Sequence, residues 1–314
     1  MSTLITGASG FVGQHLCRYL APEGEDLFGT AFPVLPREVP SGVIKLFHVD
    51  LRKEEAVHDL IKAVRPRKVF HLAAVSNVRR SWEIRSATME TNIMGTFFLF
   101  EALRKYAPEA RVLFVSSADV YGIPSQKRPF EEDDPTFPIN PYAYSKISGE
   151  LMSSYYVSVE NLDIRIARSF PHTGPGQSSD FVCADWADQI ARMEFEGAPL
   201  EIRVGDINVS RDFLDVRDVA QAYSLLISKG RIGEVYNVCS GRAVALKEIM
   251  AKLCAQTSIK PEIRVDEAKL RKTDIPELVG SNEKIKRLGW RPSISIDATL
   301  EDLLNDRRSE IRHR

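Results

Sequence analysis

The chain has 314 residues, 44% of them hydrophobic, and its 42 Lys and Arg against 43 Asp and Glu leave a net charge of -1. That length allows one large domain or two of ordinary size with a real core, and the charge balance gives no case for nucleic acid or an acidic membrane as partner. No apolar run approaches the ~20 residues of a membrane span, no basic-then-apolar leader opens the chain, and Cys17, Cys183, Cys239 and Cys254 lack C-x-x-C spacing, so a cytoplasmic protein with reduced thiols and no metal is expected.

In chain order, the apolar run from Leu4 ends in Gly7-Ala8-Ser9-Gly10-Phe11-Val12-Gly13 and passes into a stretch of helical spacing, 14–20. Three glycines let a strand turn sharply into a helix and let the helix's first amides approach a pyrophosphate. The position between strand and helix favours a dinucleotide over a plain turn. A second strand, 26–30, ends at Thr30-Ala31-Phe32, where an NAD site commonly places a carboxylate on the ribose hydroxyls. The missing carboxylate leans toward NADP, with Arg37 the nearest basic residue. A third strand, 43–49, leads to Asp50-Leu51, an amphipathic helix covers 54–64, and a fourth strand over 69–74 carries His71, read as packed rather than titrating. A long apolar helix follows Thr91 to about Tyr106. The fifth strand, 111–115, delivers Ser116 to Gly122 at its carboxyl end, where ligands of open α/β sheets bind. This unbroken alternation predicts a Rossmann-type, doubly wound parallel sheet.

Asn140-Pro141-Tyr142-Ala143-Tyr144-Ser145-Lys146 opens the next helix, to about 157. With Pro141 at the first helical position, Tyr142 and Lys146 share one face. A phenol titrates near ~10, and bringing it to about 7 takes roughly 4 kcal/mol of preference for the phenolate, much of which a nearby ammonium can supply. By itself Y-x-x-x-K is equally the pattern of a plain surface helix. Tyr144, two residues on, faces away and should pack rather than react. A strand over 163–167 is expected to close the first domain, 1–167. Shorter helices and strands after it, 168–314, read as a smaller α/β substrate-binding lobe, with the chain crossing between lobes around 205–245.

Together, Gly7-x-x-Gly10-x-x-Gly13, Asp50, the His71-Leu72-Ala73-Ala74 strand, Ser117 and Tyr142-x-x-x-Lys146 resemble the extended short-chain dehydrogenase/reductases over essentially the whole chain. The resemblance implies that Ser117 hydrogen-bonds the substrate oxygen, that Tyr142 exchanges a proton with it, and that Lys146 lowers the phenol pKa and holds the nicotinamide ribose. It places NADP or NAD on Gly7, Ser9, Gly10, Phe11, Val12, Gly13, Thr30, Asp50, Leu51, Leu72, Ala73, Ala74 and Asn92, besides Tyr142 and Lys146. It also implies a homodimer through helices.

The later half is similar to sugar-nucleotide enzymes, by Gly174-Pro175-Gly176-Gln177, Arg211 to Asp218, Tyr236 to Gly241 and Gly289-Trp290-Arg291-Pro292. The group containing GDP-mannose 4,6-dehydratase and GDP-4-keto-6-deoxymannose reductase is the nearest in look. The resemblance implies a GDP-sugar held by Ser76, Ser117, Gln177, Arg211, Arg271 and Asp274. Pro171 stands where related enzymes often have Asn, which removes a polar contact. Asp119 and Ala118 stand where similar dehydratases have Glu and sometimes Asp. A dehydratase needs acid–base groups beyond the tyrosine, whereas reduction of a 4-keto sugar needs hydride and one proton. The expectation is therefore NAD(P)H-dependent reduction of a GDP-4-keto-6-deoxy-hexose to a GDP-6-deoxyhexose of the GDP-rhamnose type. The alternatives are a GDP-mannose 4,6-dehydratase, an NAD-dependent 4-epimerase and, last, a non-catalytic nucleotide sensor.

Overall fold

The computed structural model describes residues 2–36, 38–124, 128–270 and 275–313. Its centre is a sheet of seven parallel strands, β1 (Ser2–Thr6), β2 (Asp26–Ala31), β3 (Val43–His48), β4 (Lys68–His71), β5 (Arg111–Ser117), β6 (Asp163–Ser169) and β7 (Val235–Val238). Their spatial order is β7-β6-β5-β4-β1-β2-β3. The order turns back between β1 and β4, which opens a crevice at their carboxyl ends.

Both faces of the sheet are buried, because successive side chains of each strand enter opposite cores. Leu4, Val69, Val112 and Ile164 point to one core, with Val57, Leu60 and Ile61 of α2 (Glu54–Val64), Leu99, Phe100 and Leu103 of α3 (Gly95–Tyr106), and Tyr156 of α4 (Pro141–Ser158). Ile5, Phe70 and Leu113 point to the other, with Leu16, Cys17 and Leu20 of α1 (Phe11–Leu20). Burying one such Leu or Phe stabilises the fold by about 2 kcal/mol.

One local feature differs from the expected pattern. The helix expected from Thr91 begins as a wide π-type turn over Glu90–Met94, and two short helices, Val78–Glu83 and Arg85–Met89, precede it. The chain after residue 167 returns to the first body. β7 pairs with β6, Val235 opposite Ile166 through Val238 opposite Ser169. A later helix, Val216–Lys229, lays Val219, Tyr223 and Leu226 against the core of α1.

The rest forms a smaller body around Trp186 and Ile190 of the helix Val182–Phe195, Ile249 and Leu253 of Leu246–Cys254, and Leu300 and Leu303 of Ile296–Arg312. It carries a three-stranded sheet, with Ser210–Asp212 between Ala243–Ala245 and Glu277–Leu278, and a parallel pair, Glu201–Val204 with Glu262–Val265. The Gly289 to Pro292 stretch acts as a clasp: Trp290 Nε1 donates to the Asp218 carbonyl at 3.1 Å. The Asp218 carboxylate in turn accepts from the Ser293 hydroxyl and the amides of Ser293 and Ile294. Among the described residues no helix is long and apolar enough to cross a membrane.

Candidate active site and family

The start of α4 is built by its sequence. Asn140 accepts the Ala143 amide on its side-chain oxygen at 2.7 Å, and Pro141 follows at the first helical position, where a missing N–H leaves nothing unsatisfied. Tyr142 and Lys146 then stand a turn apart, both buried, facing the carboxyl end of β5. Lys146 Nζ donates to the Val115 carbonyl at 2.7 Å and lies 5.9 Å from the Tyr142 ring centre. Ser117, the last residue of β5, donates its hydroxyl to Asp119 Oδ2 at 3.1 Å and accepts the Asp119 amide at 3.2 Å. Ala118 beside it is a buried methyl. A phenol, a hydroxyl, an ammonium and one carboxylate are thus gathered at one strand end.

Burial dominates the electrostatics. It pushes the Tyr142 phenol well above its usual range, Asp119 adds to the rise, and a hydrogen bond with Ser117 opposes it. The same burial pulls Lys146 down to about 8, against the Glu150 charge. The lowering of the phenol expected from Lys146 is absent in the protein chain alone, where desolvation raises it. The result is a tyrosine that keeps its proton at neutral pH, which suits a proton donor. His71 is neutral, held near 3 by burial, and sits between the hydroxyls of Thr6 and Thr96 at 2.8 and 2.9 Å.

The glycine turn faces the crevice between β1 and β4. Gly7 has a left-handed backbone, φ 72°, and a Cβ at Gly13 would lie 2.2 Å from the Gly7 carbonyl oxygen. Gly10 caps α1 without a side chain, which leaves the first-turn amides of Phe11, Val12 and Gly13 for an outside acceptor. The turn fits a dinucleotide pyrophosphate on these grounds. Ser9 lies in it and accepts the Gln14 side chain on its carbonyl. Thr30 braces it, accepting the Gly7 amide on its hydroxyl at 3.0 Å. Leu72, Ala73 and Ala74, half-buried, follow β4 across the crevice, and Ala73 N–H donates to Thr6 Oγ1 at 3.2 Å. Asp50 is paired with Arg52, which forks onto it and holds its carboxyl below the usual range; Leu51 beside it is buried. Asn92 lies in the π-type turn and ties Val75 N–H and carbonyl to the Ser145 hydroxyl. Its amide braces the loop after β4 against α4.

The expected substrate residues are less gathered. Ser76 is exposed on the loop after β4. Gln177 is buried, its side-chain oxygen accepting the Thr173 hydroxyl at 2.6 Å and its nitrogen donating to the His172 carbonyl at 3.0 Å, so its amide shapes its own loop. Arg211 is buried, with Nη1 donating to the carbonyls of Ser210 and Ile275 at 2.7 and 2.6 Å. Arg271 and Asp274 lie outside the described residues, as does Arg37.

Two contacts were not anticipated from the sequence. Phe11 of the glycine turn stacks on His172 of the far loop, centres 6.1 Å apart and rings nearly parallel. Close by, the His15 ring nitrogen bonds the Pro175 carbonyl at 2.8 Å. Glu150 also belongs to the inward face of α4, and its spacing from Tyr142 and Lys146 was the signal that could have found it.

A family model described as GDP-mannose 4,6 dehydratase matches residues 4–303. The chain belongs to this family. GDP-6-deoxy-D-mannose reductase of Pseudomonas aeruginosa is 37% identical over 98% of this chain and 97% of its own length. A solved structure of RMD from the same organism, complexed with NADPH, superposes with a TM-score of 0.87 at 36% identity, over 99% of this chain and 100% of that one. UDP-glucose 4-epimerase of Thermus thermophilus, solved with NAD, has a TM-score of 0.89 at 29% identity, over 98% of this chain and 99% of that one. Membership of the family places the chain in the sugar-nucleotide branch of the extended short-chain dehydrogenase/reductases.

Proposed function

We propose that this family member reduces the 4-keto group of a GDP-4-keto-6-deoxy-hexose to a GDP-6-deoxyhexose of the GDP-rhamnose type, with NADPH as its partner in the reaction. The observation that carries the reading is the sparse equipment beside Ser117. Ala118 supplies no acid or base, and the Asp119 carboxylate is engaged by the Ser117 hydroxyl. Elimination across a sugar needs further acid–base groups, while carbonyl reduction needs one proton donor. The likeness to the Pseudomonas aeruginosa reductase supports the same choice.

In this reading Phe11, Val12 and Gly13 amides hold the pyrophosphate, and the Thr30-Ala31-Phe32 strand end, which carries no carboxylate, tolerates a ribose phosphate. The bound cofactor supplies the hydride. In this step the Ser117 hydroxyl turns its proton from Asp119 to the carbonyl oxygen, the Tyr142 hydroxyl donates to the same oxygen, and Tyr142 gives it the proton that burial has kept in place. Lys146, fixed on the Val115 carbonyl, favours the phenolate left behind, a charge aimed where charge develops. Arg211 and its neighbours serve the nucleotide end.

The protein acts as a homodimer in the cytoplasm. Exposed Tyr144, Leu151 and Tyr155 on α4, with Met94 and Phe97 beside them, form an apolar outer face, of the kind that marks an association site. Residues 1–167 with β7 and the Val216–Lys229 helix serve the cofactor, and the remainder serves the sugar nucleotide.

The test is incubation with GDP-4-keto-6-deoxymannose and NADPH. NADPH should be consumed and the sugar should gain a hydride and a proton by mass. If neither NADPH nor NADH is oxidised, while GDP-mannose is dehydrated or a UDP-hexose epimerised, the reading is wrong.

A further inference from the structure

Behind Lys146 lies a buried charge pair that the chemistry above does not use. Glu150, one turn further along α4, is 5% exposed, and Arg168 of β6 is 6% exposed. Arg168 forks onto the carboxylate, Nε to Oε1 at 3.0 Å and Nη2 to Oε2 at 2.7 Å. The Ser116 hydroxyl donates to the same Oε1. The third guanidinium nitrogen reaches the Glu132 carbonyl at 2.9 Å, and the group lies 4.8 Å over the Tyr121 ring. Each partner belongs to an element of the site. Ser116 sits between Val115, whose carbonyl holds Lys146, and Ser117, while Tyr121 ends the turn that Ser117 begins.

A purely structural role accounts poorly for this arrangement. Removing two charges from water costs about as much as their attraction returns, and apolar residues of similar volume commonly fill such a space without loss. What is particular here is the address: Glu150 is four residues from Lys146 on the same face, and its charge opposes the burial that drives the ammonium toward neutrality. The other titratable groups around the Tyr142–Lys146 pair are His71 on β4, which burial keeps neutral, the phenol of Tyr223 on the Val216–Lys229 helix, which burial keeps protonated, and Asp119.

We propose that Glu150 is a positioning residue for the carbonyl reduction, favouring a charged Lys146 between the Val115 carbonyl and Tyr142, and that Arg168 fixes the Glu150 carboxylate and tempers its charge. This rests on the reductase reading. It is tested by the pH profile of kcat, and separately by the pH dependence of NADPH binding without sugar, in the wild type, Glu150→Gln, Arg168→Gln and the apolar double variant E150M/R168M. In the wild type both quantities should fall as pH rises through about 8. Glu150→Gln removes the charge that favours the ammonium and should move that fall to lower pH by about one unit, roughly ten-fold in the charged fraction at a given alkaline pH. Arg168→Gln leaves the Glu150 charge unopposed and should move it the other way. E150M/R168M should melt near the wild-type temperature and still lose activity at lower pH than the wild type. Single variants that leave the profile in place, or shift it in the same direction in step with their melting temperatures, would overturn the proposal, as would a wild-type profile in E150M/R168M. Should the wild type turn over no keto sugar, the function falls, and the NADPH-binding profile tests the pair by itself.

Discussion

The two faces of α4 are inverted relative to an ordinary surface helix. A helix on a globular protein hides its apolar stripe and shows its polar one. Here the buried face carries Tyr142, Ser145, Lys146, Glu150 and Ser153, while Tyr144, Leu151 and Tyr155 are 55, 68 and 50% exposed. Buried polar groups are tolerated because each has a partner: Ser145 bonds the Tyr142 carbonyl, Lys146 the Val115 carbonyl, Glu150 the Arg168 guanidinium, Ser153 the Gly149 carbonyl. On the exposed side the Tyr155 hydroxyl donates to Glu160 at 3.1 Å, but the apolar surface of these side chains stays open to solvent. The inside of this helix is therefore the face proposed for the chemistry, and its outside the face proposed for a second copy of the protein.

That contrast can be broken from either side. Tyr142→Phe removes the proposed proton donor and should lower kcat by roughly 10²–10⁴-fold, with NADPH affinity by fluorescence titration within a few-fold of wild type; full turnover would remove the inner face from the chemistry. On the outer face, Leu151→Glu buries a charge in the proposed dimer and should weaken association by about 2 kcal/mol or more, read as a monomer by light scattering. A dimer that persists would place the interface elsewhere. Asn140→Ala removes the cap that starts both faces and should cost about 1 kcal/mol, a melting temperature lower by about 3 °C. Tyr144→Ser, at an exposed position two residues from Tyr142, should change the stability of the monomer by less than ~0.5 kcal/mol and leave the chemical step intact. A large loss of kcat there would mean that the two faces are not independent.

Much of the fold was legible because period and punctuation agree. Alternating apolar runs and helical stretches gave the parallel sheet, and Asn140-Pro141 marked where α4 begins. The features that escaped depend on distant partners. β7 is a four-residue strand whose membership of the sheet is decided by β6, not by its own sequence. The π-type turn at Glu90–Met94 follows from Asn92 bonding Val75 and Ser145, contacts invisible to a periodicity argument. Tyr144 was expected to pack, and it faces solvent instead, because the pattern tells which face a residue shares but not what covers that face. Gln177 looked like a ligand contact from its motif, yet its amide closes its own loop on Thr173 and His172. Local motifs named the candidate site residues, while the support around them is set by tertiary contacts.

The bond from Lys146 to the Val115 carbonyl has one further consequence. Its anchor is a main-chain oxygen, present whatever residue occupies position 115. The side chain at position 115 can therefore change without displacing the ammonium. A scaffold built this way keeps the ammonium in register with the strand end through the main chain, whatever side chain its anchoring residue carries.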